Sequence, residues 1–155
     1  MTAQEHLVRL SDRNFQTLSQ TVRAFPKDKL DWKPAPGSRS ALDQLQEIAT
    51  ILEASGDMYK TYKLEFNPED FGAWMERRQQ YTDAEELLQM IEKVTASNNE
   101  TIMGIPEEDL VKPFEMPWPG EFRVIDVLGY HPWNMAYHDA QINYIASMLE
   151  TPGEE

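Results

Sequence analysis

The chain has 155 residues, 27 of them acidic and 14 basic, for a formal net charge of −13, and that length suits one domain that closes its own core. An acidic surface repels phosphate backbones and anionic lipid, so neither nucleic acid nor membrane is expected as a partner. Cysteine is absent, which excludes disulfides, thiolate metal sites and a cysteine nucleophile and makes a cytoplasmic location the expectation.

Four stretches carry helical periodicity. The first runs from about Ala3 to Phe25, with Leu7, Leu10, Leu18, Val22 and Phe25 recurring at threes and fours. Pro26 to Gly37 holds three prolines and a glycine and reads as an extended crossover. A second helix is predicted from Ser40, which has capping-box spacing to Asp43, and it continues through Leu45, Ile48 and Leu52 as far as Tyr59 and Tyr62. A short extra helix is expected around Asp70 to Arg78. The third long helix begins at Thr82, with Glu85 as its box partner, and puts Leu87, Leu88, Ile91, Val94 and Ile102 on one face. Pro106 to Gly120, with four prolines, is a second crossover. The fourth helix is predicted from about Phe122 to Leu149 as one piece. Residues 1–150 are read as a single domain and 151–155, TPGEE, as a frayed tail.

The two crossovers follow one plan. In FPKDKLDWKPAPGSRSALDQL and IPEEDLVKPFEMPWPGEFRVIDVL a helix ends, a charged turn leads to a leucine, and a proline-rich segment opens the next helix. This reads as a weak internal duplication of helix, crossover, helix.

The segment Leu30 to Ala49 carries Trp32, the turn Pro34-Ala35-Pro36-Gly37 and a helix-starting Ser40. The segment Val124 to Leu149 ends in a helix with His138 followed three residues later by Gln141. Together they resemble the DinB/YfiT-like family. The resemblance implies an all-α fold, an up-down-down-up four-helix bundle with long proline-rich crossovers. It also implies a divalent metal, zinc or nickel, held by three histidines, one on the second helix and two spaced four apart on the last. Carried over by position, those slots are Glu47, Asn134 and His138. Only one is still histidine, so the resemblance points to a degenerate metal site.

Residues four apart share a helix face, so Asn134 and His138 can converge while Glu47 approaches from the neighbouring helix. Imidazole, carboxylate and amide form a permissible but poor set, since zinc and nickel favour more nitrogen. His131 lies seven residues before His138, about 10 Å along an ideal axis. Pro132 could kink the helix and allow a Glu47, His131, His138 set; the plainer reading makes His131 a helix-surface or loop residue. Glu47 is either a solvated carboxylate or, facing inward, a charge-assisted partner of His138. Were the chain an enzyme, Glu47 and His138 would be its catalytic residues. Metal-dependent hydrolysis, or transfer of a low-molecular-weight thiol cosubstrate, is then the expected chemistry. The competing readings are a small-molecule-binding module and a homodimer whose surface uses Met75, Met90, Met116 and Trp118. Tyr130, Trp133 and Tyr137 could line a pocket or pack as core or interface.

Overall fold

The structure, a computed structural model, describes residues 1–150 except the side chain of Glu150; the predicted frayed tail lies outside the described residues. Seven helices are present among them: α1 (Ala3–Ala24), α2 (Ala41–Ala54), α3 (Met58–Thr61), α4 (Pro68–Arg77), α5 (Ala84–Gly104), α6 (Val124–Leu128) and α7 (Tyr130–Glu150). One-turn 3₁₀ segments follow α1, α4 and α5.

The long helices start where local chemistry satisfies their orphan amides. Thr2 and Glu5 form a reciprocal capping box at α1. Ser40 accepts from the Asp43 amide at 3.1 Å and opens α2. At α5 the cap is Asp83, which accepts from the Glu86 amide at 2.8 Å, one residue beyond the predicted Thr82. Each such cap contributes about 1 kcal/mol.

Two helices are shorter than their periodicity suggests. α2 stops at Ala54 rather than reaching Tyr62, because Gly56 adopts φ +59° and breaks the ladder before the single turn of α3. The last predicted helix is divided at Gly129 into α6 and α7, and Phe122–Arg123 is strand. That strand, β2, pairs antiparallel with β1 (Pro113–Phe114).

Side-chain contacts between helices set their directions. Gln4 reaches the Ile105 carbonyl (3.1 Å) and Arg23 pairs with Glu85 (3.1 Å), so α1 and α5 run antiparallel. Asn14 donates to the Pro132 carbonyl (2.7 Å) and Asn143 to Thr21 (3.1 Å), so α1 and α7 run parallel. Gln44 meets His138 near the start of α2, and Tyr59 reaches the Val127 carbonyl beyond its end, which makes α2 antiparallel to α7. α1 and α2 each pack on both α5 and α7 and stand at opposite corners. The bundle is therefore up-down-down-up, as the resemblance implied. Leu18, Leu45, Ile48, Leu87, Ile91 and Ile142 fill one core layer. A second core forms around Ile102, Phe114, Val124 and Leu128, where the hairpin closes that end of the bundle.

The internal duplication has a structural counterpart. The Leu42 amide donates to the Leu30 carbonyl (2.8 Å), and the Ile125 amide to the Leu110 carbonyl (3.0 Å). In both halves the second residue of the new helix is tied back to the crossover leucine.

Candidate functional site

Facing turns of α2 and α7 present their inward polar residues to each other. Gln44 and Glu47 lie three apart on α2, His138 and Gln141 three apart on α7, so each pair shares a face. His138 Nε2 stands 3.1 Å from Glu47 Oε1. Its Nδ1 faces the amide oxygens of Gln44 (2.9 Å) and Gln141 (3.0 Å). Each ring nitrogen therefore already has a hydrogen-bonding neighbour. The imidazole is 1% exposed, so substrate reaches it only past these partners.

The second oxygen of Glu47 is also committed. Arg39, in the residue before the α2 cap, places Nη1 2.7 Å from Glu47 Oε2 and pairs through Nε with Asp43. Arg78, in the 3₁₀ turn after α4, donates to Asp43 Oδ1 at 2.5 Å and brings Nη1 to 3.9 Å from Glu47 Oε2. Its guanidinium lies 4.7 Å over the Trp74 ring, whose indole N–H is anchored on Thr50 (2.9 Å). Burial alone would raise the Glu47 pKa. Hydrogen bonds and charge from His138 and Arg39 outweigh it and hold the carboxyl at about 2. Nearby Tyr130 is pushed up to about 12 by burial and by the Glu47 charge.

Of the residues singled out from sequence, the structure brings Glu47 and His138 into contact. Asn134 is buried one turn away, and its amide nitrogen has no hydrogen-bond partner. The surface reading of His131 is corrected: the ring is 0% exposed and its Nε2 lies 2.9 Å from the Thr95 hydroxyl of α5. The inward face of α7 reaches it because Pro132 leaves the helix running on to Trp133, whose amide bonds Gly129. Met90 and Met116, proposed for a dimer surface, are half-buried and pack against the two cores. Sequence reasoning missed Arg39 and Arg78. The spacing Arg39, Asp43, Glu47 is i, i+4, i+8 and marks one helix face; Arg78 carries no local signal.

These residues do not fit a resident divalent metal. A guanidinium already neutralises Glu47, and both nitrogens of His138 face oxygen. At about 4 Å, a dication and a guanidinium repel by several kcal/mol even at an effective dielectric near 20. Among the described residues no group of three or more histidine, aspartate, glutamate or cysteine side chains is arranged to hold a metal.

Beside this network a groove of about 690 Å³ runs between the first crossover and α7. Its walls are mostly apolar, from Pro34, Gly37, Tyr137, Tyr144, Ile145 and Met148; Arg39, Gln44 and Gln141 supply its polar end.

A profile described as the DinB superfamily matches residues 11–142. Several solved structures share the fold. YfiT from Bacillus subtilis, described as a probable metal-dependent hydrolase with an unusual four-helix bundle topology, is 14% identical. The match covers 96% of this chain and 89% of that one, with a TM-score of 0.75. A DinB-like protein from Bacillus cereus is 14% identical over 97% of each chain, at a TM-score of 0.68. The colibactin self-resistance protein ClbS, solved with double-stranded DNA, is 12% identical over 93% of this chain and 95% of its own, at 0.69. No curated protein matches.

Proposed function

The chain belongs to the DinB superfamily, and from that membership and the geometry of its centre we propose that it is a small-molecule-binding member that works without a resident metal. One observation carries the reading: both oxygens of Glu47 are engaged, one by His138 and one by Arg39, where the family pattern would put a metal ligand. Arg39 supplies the positive charge itself. The centre then serves as the rigid polar end of the groove, and the volume of that groove suits an organic molecule with an apolar or aromatic body. Hydrolysis or thiol transfer would need a metal-held water or thiolate, which this donor set does not favour. ClbS was solved on DNA, but a net charge of −13 opposes a phosphate backbone, so a small molecule is our choice of partner. No helix among the described residues is long and apolar enough to cross a membrane.

Elemental analysis of protein purified without chelators is expected to find less than about 0.1 equivalent of zinc or nickel. An aromatic amphiphile such as anilinonaphthalene sulfonate should bind saturably, about tenfold more weakly after Tyr137→Ala. Metal near one equivalent that disappears in His138→Ala would overturn the proposal.

A second reading concerns assembly. Tyr130, Trp133 and Tyr137 form a ladder along α7, with Trp133 and Tyr137 stacked at 5.1 Å and 22°, and Trp133, Tyr137 and Tyr144 are exposed. A row of aromatics at helical spacing suits a helix-to-helix homodimer that would close over the groove. Sedimentation should show a dimer for the wild type and a shift to monomer for Trp133→Glu. A wild type that is monomeric at about 100 µM, a concentration well above the Kd of stable interfaces, would remove this reading.

A further inference from the structure

The bundle carries a second buried polar cluster, away from Glu47. Ser11 of α1, Thr95 and Asn98 of α5 and His131 of α7 are all nearly inaccessible; Ser11 and His131 are 0% exposed. Three of their atoms, Ser11 Oγ, Asn98 Nδ2 and His131 Nδ1, have no hydrogen-bond partner. Native interiors seldom leave such groups unpaired, since each costs about 1–3 kcal/mol.

Chain neighbours place these groups at one level of the bundle. Asp12, beside Ser11, accepts from Asn99, beside Asn98, at 2.8 Å. Asn14 donates to the carbonyl of Pro132, beside His131, at 2.7 Å. Thr95 Oγ1 lies 2.9 Å from His131 Nε2, which ties α5 to α7 directly. These contacts bring α1, α5 and α7 together at the level of Ser11, Asn98 and His131.

The internal duplication provides a control. Phe25 caps α1 and Ile105 caps α5, each just before a proline. By that alignment Phe15 and Leu18 in the first half correspond to Thr95 and Asn98 in the second. Alignment of Leu42 with Ile125, through their shared bonds to the crossover leucines, matches Ile48 to His131. The first half thus closes these positions with three apolar side chains that pack in one core. The same fold plan accepts hydrocarbon there; this chain holds an imidazole, an amide and a hydroxyl instead.

We infer that this seam is an internal binding site for a neutral, water-sized hydrogen-bonding molecule, bridging His131 Nδ1, Asn98 Nδ2 and Ser11 Oγ. Chemistry selects the class. Asn98 presents an N–H and would repel a cation, and no carboxylate joins the three. An anion would give up its hydration for one amide N–H and two hydroxyls, which do not neutralise it. Water accepts from the amide, donates to the imidazole and exchanges either role with the hydroxyl, the threefold bonding usual for buried water.

The test combines a high-resolution crystal structure with two variants. Density for an ordered water within about 3.2 Å of both His131 Nδ1 and Asn98 Nδ2 is the expected result. Asn98→Leu, which installs the residue used at the corresponding position in the first half, should then lower Tm by about 3 °C or more, because it strands the remaining groups. Ser11→Ala, which removes a single oxygen, should lower it less and leave the fold intact. The inference is overturned if no density bridges the pair. It is equally overturned if Asn98→Leu leaves Tm unchanged or raises it, which is what apolar replacement of a merely unpaired donor would do.

Discussion

Glu47→Ala is expected to destabilise the protein by about 3 kcal/mol, a fall in Tm of about 9 °C for a chain of this length. The substitution takes the carboxylate from Arg39 Nη1 and His138 Nε2 and leaves Asp43 alone to balance the two guanidiniums. Glu47→Gln should recover little, because it restores shape without charge. The effect has a defined pH dependence. The folded carboxyl titrates near 2, below its ordinary 4.5, so the unfolded state takes up its proton first as pH falls. The stabilisation from Glu47 is therefore complete above about pH 4.5 and is lost progressively as pH drops toward 2. Denaturant titrations of wild type and Glu47→Ala should differ fully at pH 7 and converge at the acid end. A difference below about 1 kcal/mol at neutral pH would mean that the network is a solvated surface arrangement.

The second large effect is a gain. Glu47→His with Asn134→His rebuilds the three-histidine set implied by the family pattern, and Arg39→Ala removes the competing guanidinium. The triple variant is expected to rise from near zero to about one equivalent of zinc, with a dissociation constant of about 1 µM or tighter. Asn134→His alone, with Arg39 still on Glu47, should stay near zero. Isothermal titration with zinc distinguishes the cases. If the triple variant binds none, the three positions do not converge as the pattern requires; if Asn134→His alone loads fully, Arg39 does not exclude the metal.

Why these residues and not others could be read from sequence is a question of range. α1 and α5 were legible because burial repeats every three to four residues and the terminal side chains signal helix starts. The proline content of both crossovers marked them as extended. The end of α2 was misread because Leu52, Tyr59 and Tyr62 keep a helical rhythm across a break made by Gly56, whose left-handed backbone leaves no trace in hydrophobic spacing. His131 shares the i, i+3, i+7 face of Asn134 and His138, but a histidine beside a proline is equally at home on a surface; packing against Thr95 decides that it faces inward.

The sequence by itself determined the long helices, their order and the two crossovers, since all of these follow from local spacing or from segments that match a pattern. Tertiary structure alone decided that Arg78 joins the acidic face of α2. Arg78 lies 35 positions from the aspartate it pairs with, and nothing in the intervening chain records that meeting. Ion pairs form wherever the fold brings opposite charges together, so their partners are set by packing rather than by rhythm.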